Sequence, residues 1–316
     1  YNLYYHLRSN DLPKDRRMKK LIQCVIEIEA LVKNKLLDVE FAFNSKDELY
    51  IFQVRPIASS KAIGSFGRYQ TIESIKDNIP KLQSLFFPKK DVSGQTTVLG
   101  KMPDWNPAEL IGTRPRVLSS TIFHRLITKR AWRIARKNIG YYNPPSEELL
   151  QIIFGQPFID VRNSLNSFTP ANLPKDLREM LVDESVHFLT KNPHLHDKLE
   201  FEVATTCYTP YFNDRFKRWK NFGFTQLQID EMAEFFRKQT ENIVNGKLAT
   251  TKNLINKVRD LDYERREILA DKKMDRLSKA NMLILRCEKS GTTPFSTLAR
   301  FAFVGNTFLK SFVKNS

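Results

Sequence analysis

The stretch Leu37-Asp38-Val39-Glu40-Phe41-Ala42-Phe43, followed by Asn44-Ser45-Lys46-Asp47 and then Glu48-Leu49-Tyr50-Ile51-Phe52-Gln53-Val54, decides how this chain is read. The first run alternates apolar and polar residues. The second is a cluster of turn formers, and the third is aromatic and β-branched. That succession predicts a β-hairpin, ended by Pro56. Side chains alternate across a strand, so Asp38, Glu40 and Ala42 share one face. A four-residue loop pairs Phe43 with Glu48, Glu40 with Ile51 and Asp38 with Gln53. Gln53 and Arg55 then join Asp38 and Glu40 on one face. Val39, Phe41 and Phe43 meet Tyr50, Phe52 and Val54 on the other. An odd-length loop breaks this arrangement, because a one-residue slip flips every side chain.

Working outward, Pro13 to Asn34 reads as a helix, with Leu21, Val25, Ile28 and Val32 at helical spacing. Ala58 to Gly67 is loop-like. Ser93 to Pro107 is irregular, with Gly94, Gly100, Pro103 and Pro107, and a domain boundary is expected near it, giving 1–92 and 93–316. Asn106-Pro107-Ala108-Glu109 is a helix-start signal. A longer helix is expected from about Ser120, with Gly140 past its end. Beyond Tyr142 the chain reads as mainly helical: Lys175 to Thr190, Thr225 to Asn245, Thr251 to Lys273, Asp275 to Lys289 and Pro294 to Val313. Gly246 and Gly291 stand where helix-ending glycines belong. Leu199 to Thr206 suits a strand or a helix. The expected class is α+β, a hairpin followed by a mainly α-helical region.

Composition narrows the function classes. The 316 residues carry 51 Lys+Arg against 35 Asp+Glu, a net charge of +16, and 41% apolar residues with 23 Phe, which excludes a disordered chain. Three scattered cysteines (Cys24, Cys207, Cys287) make no CxxC pair and point to a reducing, cytoplasmic compartment. No apolar run approaches the roughly 18 residues of a membrane span, so no membrane partner is expected. The chain begins Tyr1-Asn2-Leu3 without an initiator Met and reads as a piece of something longer. The positive charge raises polyanions as partners. It clusters in one place, Leu110 to Ser146, which holds eight Lys/Arg and no acid. With no zinc-finger spacing and no RNP-type aromatic box, nucleic acid is not the expected partner.

The hairpin's polar face carries the chemistry. Mg²⁺ takes hard oxygen ligands, usually one or two carboxylates plus phosphate oxygens, and a Gln carbonyl can add another. Arg forks onto phosphate oxygens and stabilises charge in phosphoryl transfer. The same four residues also suit a plain solvent face carrying a salt bridge.

Asp38-Val39-Glu40-Phe41-Ala42 with Leu49-Tyr50-Ile51-Phe52-Gln53-Val54-Arg55-Pro56-Ile57 resembles the end of the nucleotide-binding domain of phosphoenolpyruvate synthase and pyruvate phosphate dikinase. The resemblance implies a partial ATP-grasp fold whose two strands line an ATP site. It implies Glu40 and Gln53 at Mg²⁺ and the phosphates, Arg55 as the catalytic contact to the transferred phosphoryl group, and Asp38 in support. Upstream, Leu36-Leu37 replaces the family's frequent Pro-Gln. Asp104-Trp105-Asn106-Pro107-Ala108-Glu109-Leu110-Ile111-Gly112, Pro193-His194-Leu195-His196-Asp197-Lys198-Leu199-Glu200-Phe201-Glu202, and Pro294-Phe295-Ser296 with Leu298 to Phe303 are similar, in order, to segments of a subgroup of such proteins. A Ser/Thr-His phosphohistidine segment is missing, since Ser185-Val186-His187-Phe188 does not resemble it, and so is the phosphoenolpyruvate-binding barrel. The glycine-rich phosphate loop would lie upstream of Tyr1. The implied function is that of a dikinase fragment, inactive alone, whose parent moves phosphoryl from ATP to a histidine and on to pyruvate or a related acceptor. The alternative is a non-catalytic, basic helical module binding nucleic acid or a protein.

Other residues draw less weight. Arg125, Lys129, Arg133 and Arg136 form a basic stripe on the helix from Ser120, opposite Phe123, Leu126, Ile127, Ala131 and Ile134. Arg114 and Arg116 flank Pro115 in a loop and are better placed to reach a ligand. His194 and His196 lack the further ligands a zinc site needs. Trp105 reads as a packing anchor, and Glu200 and Glu202 as structural or surface residues.

Overall fold

Asp15 starts the first helix, α1 (Arg16–Val32), by accepting a hydrogen bond from the Met18 N–H at 2.8 Å. Lys33 ends it in a left-handed conformation, φ 54°. The computed structural model describes residues 15–34, 37–56, 76, 79–80, 82–145 and 149–313. The expected helix start at Pro13 and the expected loop from Ala58 to Gly67 lie outside the described residues. Of the expected apolar stripe on α1, Leu21 is buried, Val25 and Ile28 are half-buried, and Val32 is exposed.

The hairpin is present as β1 (Leu37–Phe43) and β2 (Leu49–Pro56), antiparallel. Its turn is one residue longer than expected, because Phe43 pairs with Leu49 and residues 44–48 lie between. Asn44 organises that turn: its side-chain oxygen accepts from the Lys46 N–H at 2.9 Å and the Glu48 N–H at 3.0 Å. Asp47 takes a left-handed φ of 61°. Arg17 and Lys20 of α1 hold it, Arg17 Nε donating to Asp47 Oδ1 at 2.6 Å and Lys20 Nζ to its carbonyl at 3.0 Å.

An odd loop alone would flip the strand. The ladder slips again between Glu40 and Phe41, where Glu40 pairs with Gln53 and Phe41 with Ile51. Phe52 is the extra residue of a β-bulge. The two one-residue offsets add to a shift of two, which restores the parity, and the pairs become Asp38 with Arg55 and Glu40 with Gln53.

Residue contacts divide the chain into Tyr1–Phe66 and Gly67–Ser316. The sequence placed this division at 92/93. Instead Arg162 donates to the carbonyls of Leu85 (2.9 Å) and Phe87 (2.8 Å), and the Ser93 N–H donates to Asn166, so this stretch packs within the second unit.

The second unit is mainly helical, with one small sheet. Its sheet order is β3 (Leu99–Gly100), β5 (Gln156–Asp160), β4 (Leu150–Ile153), all antiparallel. The sequence read this region as helical. Its two-residue turn, Phe154-Gly155, has φ of 50° and 72°, the left-handed pair that a tight hairpin requires. Short helices follow the irregular segment: α2 (Pro107–Leu110), α3 (Val117–Phe123) and α4 (Ala131–Lys137). The single helix expected from Ser120 is interrupted by a π-helical turn, His124–Thr128, and by Arg130 at φ −147°. Next come α5 (Val161–Asn166), α6 (Lys175–Lys191), a π turn at Leu199–Val203, α7 (Asn213–Phe222) and α8 (Gln226–Val244). The ambiguous Leu199 to Thr206 is that π turn and an irregular tail. The C-terminal part is α9 (Thr251–Ala270), α10 (Arg276–Arg286) and α11 (Thr293–Val313).

Helix α8 shows why several elements were legible. Thr225 and Gln228 form a reciprocal capping box at its start, and Gly246, at φ 62°, follows its end. Gly291 is different. It ends no helix but lies in a π turn, Cys287–Thr292, joining α10 to α11, where an added Cβ would come within 3.0 Å of Leu261.

Among the described residues the buried core falls into four clusters, and three of them join the elements as follows. Val161, Leu165, Val182, Val186 and Leu199 join α5, α6 and the second π turn. Trp219 of α7 stacks on Phe236 of α8 at 6.2 Å and meets Phe212 edge-on at 5.5 Å. Trp132 packs with Leu149 and Ile159, and half-buried Trp105 joins them as the expected anchor.

Candidate functional site

Asp38, Glu40, Gln53 and Arg55 occupy one face of the hairpin because the five-residue turn and the bulge at Phe52 restore its parity. Arg55 bridges the two acids: its Nε donates to Asp38 Oδ2 at 2.8 Å and its Nη2 to Glu40 Oε1 at 3.3 Å. All three side chains are about half exposed, at 45%, 48% and 53% for Arg55, Asp38 and Glu40. Water therefore screens the pairs, and exposed ion pairs of this kind contribute about 0–1 kcal/mol. The guanidinium can exchange partners at low cost.

The apolar partition differs from expectation. Tyr50 pairs with Ala42 and is half exposed, hydrogen-bonding to Glu48 at 3.3 Å, while bulged Phe52 is 69% exposed. The covered face is built from Leu37, Val39, Phe43, Leu49, Ile51 and Val54, all half-buried. The five-residue turn carries Tyr50 and Phe52 off the packed face, and the bulge re-aims the strand so that Val54 returns to it.

Two carboxylates and an amide oxygen on one face are hard donors suited to Mg²⁺, and phosphate oxygens usually complete its shell. The donor set thus fits a phosphate-bridged Mg²⁺. Among the described residues, no group of three or more His, Cys, Asp or Glu is gathered to hold a metal by itself.

The second unit contains an acid–arginine cluster that the sequence reading missed. Arg136 of α4 donates to both oxygens of Asp104, at 2.5 and 3.1 Å, and to Ser167 Oγ at 2.6 Å. Ser164 Oγ donates to Asp104 at 2.5 Å. Glu200 lies 3.6 Å from Arg136 and pairs with Arg300 of α11. Phe168 stacks under Arg136, 3.9 Å from its guanidinium carbon. These charges are buried, with Arg136, Asp104 and Arg300 each at most 5% exposed. Burial pushes the Glu200 carboxyl above its ordinary range, and Arg300 opposes that shift. A signal did exist: Arg300 is a lone charge in the apolar run Leu298 to Phe303.

This cluster dismantles the basic stripe. Arg136 is sequestered, Arg133 donates to Asn143 at 3.0 Å, and Arg125 lies 3.7 Å from Glu288. Lys129, with Arg130 and Lys137, stays exposed, as do Arg114 and Arg116. His194 and His196 fall in a 3₁₀ turn, Pro193–Lys198, where His196 Nδ1 meets the Pro193 carbonyl at 3.1 Å. His187 packs on Phe222 at 5.7 Å. Glu202 is exposed, and its backbone carbonyl accepts from Arg215 and Arg218. Among the described residues, no helix is long and apolar enough to cross a membrane. No family model, curated protein or solved structure matches the chain.

Proposed function

We propose that the hairpin face is the phosphate-and-metal edge of an ATP site, in part of a cytoplasmic dikinase resembling phosphoenolpyruvate synthase and pyruvate phosphate dikinase. In this reading β1 and β2 are a remnant of an ATP-grasp domain, and the helical unit is a linking or docking region. Glu40 and Gln53 hold Mg²⁺ and Asp38 supports them. Bound Mg²⁺ supplies neutralisation of phosphate charge. Arg55 leaves part of its carboxylate pairing for phosphate oxygens, which its fork binds in two parallel hydrogen bonds.

The observation that supports this reading is the compensated register. A turn of odd length and a bulge together keep two carboxylates, an amide and a guanidinium on one face, and the guanidinium sits in a weak, screened pairing that a phosphate can displace. The polyanion alternative draws less support, since it needs a continuous basic helix and the stripe is broken by pairing and burial.

The test is Mg²⁺-dependent binding of a fluorescently labelled ATP to a chain extended upstream of Tyr1 to take in the phosphate loop that the resemblance implies. Arg55→Ala and Glu40→Gln are each expected to weaken it by about tenfold or more, with the circular dichroism spectrum unchanged. Equal binding by both variants and the parent chain overturns the assignment.

A further inference from the structure

The second unit holds a cavity of about 690 Å³, within the usual range for small-molecule sites. Its floor is the irregular tail after the second π turn, where Thr205, Thr206 and Thr209 are buried. One wall is the start of α7, with Asn213 and Lys217, and the other is the end of α11, with Thr307 and Lys310.

The floor is anchored. Arg215 donates to the carbonyls of Phe201, Glu202 and Val203 at 3.0–3.2 Å. Arg218 donates to Val203 at 2.6 Å and to buried Glu184 at 2.7 Å. These arginines satisfy the carbonyls at the end of the π turn, so the chain behind the cavity is fixed by charge-assisted bonds.

Three features ask for a ligand. First, the lining carries four cations, Arg215, Lys217, Arg218 and Lys310, against two acids, Glu202 and Asp214. With both arginines committed to the floor, Lys217 and Lys310 are the exposed cations at the rim. Second, α7 is ten residues long and has no side-chain cap at its start, and its positive end opens on the cavity, offset in part by Asp214 in its first turn. Third, the Thr205 hydroxyl, on a residue only 4% exposed, has no partner among the described residues. An orphaned buried hydroxyl costs free energy that a bound ligand would recover. Thr205 also borders a void of about 10 Å³, at the lower limit for a single water. Hydroxyl and amide groups beside the aromatic faces of Phe201 and Tyr211 suit a hydroxylated carbon skeleton, and the rim suits its anionic group.

We propose that this cavity binds a phosphomonoester of a small polyhydroxylated molecule, its phosphate facing Lys217, Lys310 and the start of α7, and its hydroxyls facing the threonine floor. The proposal does not rest on the hairpin reading.

The probe is glucose 6-phosphate, titrated calorimetrically into the chain, with glucose and inorganic phosphate as the dissecting arms. Glucose 6-phosphate is expected to bind more tightly than either arm. The double variant Lys217→Gln/Lys310→Gln, confined to exposed side chains, is expected to weaken it by about tenfold or more. Thr205→Val keeps the shape and is expected to weaken it several-fold, while Arg55→Ala leaves it unchanged. Failure of glucose 6-phosphate to bind overturns the proposal. So does equal affinity in the lysine variant, or a loss in Arg55→Ala matching that in the lysine variant, which would move the ligand to the hairpin.

Discussion

The two units solve the same electrostatic problem in opposite ways. On the hairpin, Asp38 and Glu40 share one arginine, and water reaches all three. In the helical unit, Asp104 and Glu200 meet Arg136 and Arg300 with almost no water. The chemical groups match, yet their capacities differ. A screened cluster gains little from its pairing and can release a guanidinium to an incoming phosphate. A buried cluster cannot, because an unpaired charge in low dielectric costs several kcal/mol. Its members come from the segment before α2, from α4, α5, the second π turn and α11, so it acts as a clamp on the helical unit.

That contrast is open to attack. The largest expected effect is from Arg136→Met, which strands the Asp104 carboxylate and should destabilise the helical unit by about 3–5 kcal/mol in urea unfolding. A loss below about 1 kcal/mol would show that the buried cluster is as weak as the exposed one. The second effect is on pH dependence. Burial raises the Glu200 pKa in the folded protein, so the folded state keeps a proton that the unfolded state releases. Its contribution to stability is present below the ordinary glutamate range and is lost as pH rises through the raised folded value. Glu200→Gln should flatten that decline when melting temperature is followed across the interval. Superimposable profiles for the two proteins would remove Glu200 from the account. The smallest effect is from Arg55→Ala on folding: a change within about 1 kcal/mol, because both of its ion pairs are half exposed. A larger loss would make the hairpin arginine a structural strut and erase the distinction between the clusters.

The legible parts of the sequence were those with local, self-contained signals. Helix α8 was readable to within a residue because its capping box and its following glycine both sit in the sequence. Helix α6 was equally plain from its apolar spacing. The β4–β5 hairpin was hidden because Phe154 occupies a left-handed turn position that usually carries Asn, Asp or Gly. The basic stripe failed for a geometric reason. It assumed one unbroken 3.6-residue period, but the π turn at His124–Thr128 inserts a different period, and Arg130 then breaks the helix. Residues beyond that point rotate, and Arg136 turns inward. The four polar residues of the hairpin were identifiable, and so was their common face, but not their partners. Nothing in the residue types marks Phe52 as the bulge.

That bulge works as a shim in the strand. With Phe43 held opposite Leu49, a ladder that took Phe52 into regular pairing would set Asp38 opposite Val54 and send Gln53 and Arg55 to the packed side. Deleting Phe52 instead gives a flush hairpin with Asp38 still opposite Arg55. Trimming the turn leaves every pair in place as long as Phe43 stays opposite Leu49. The side on which the polar residues emerge is therefore decided between Ile51 and Gln53, where the extra residue must either bulge or be absent.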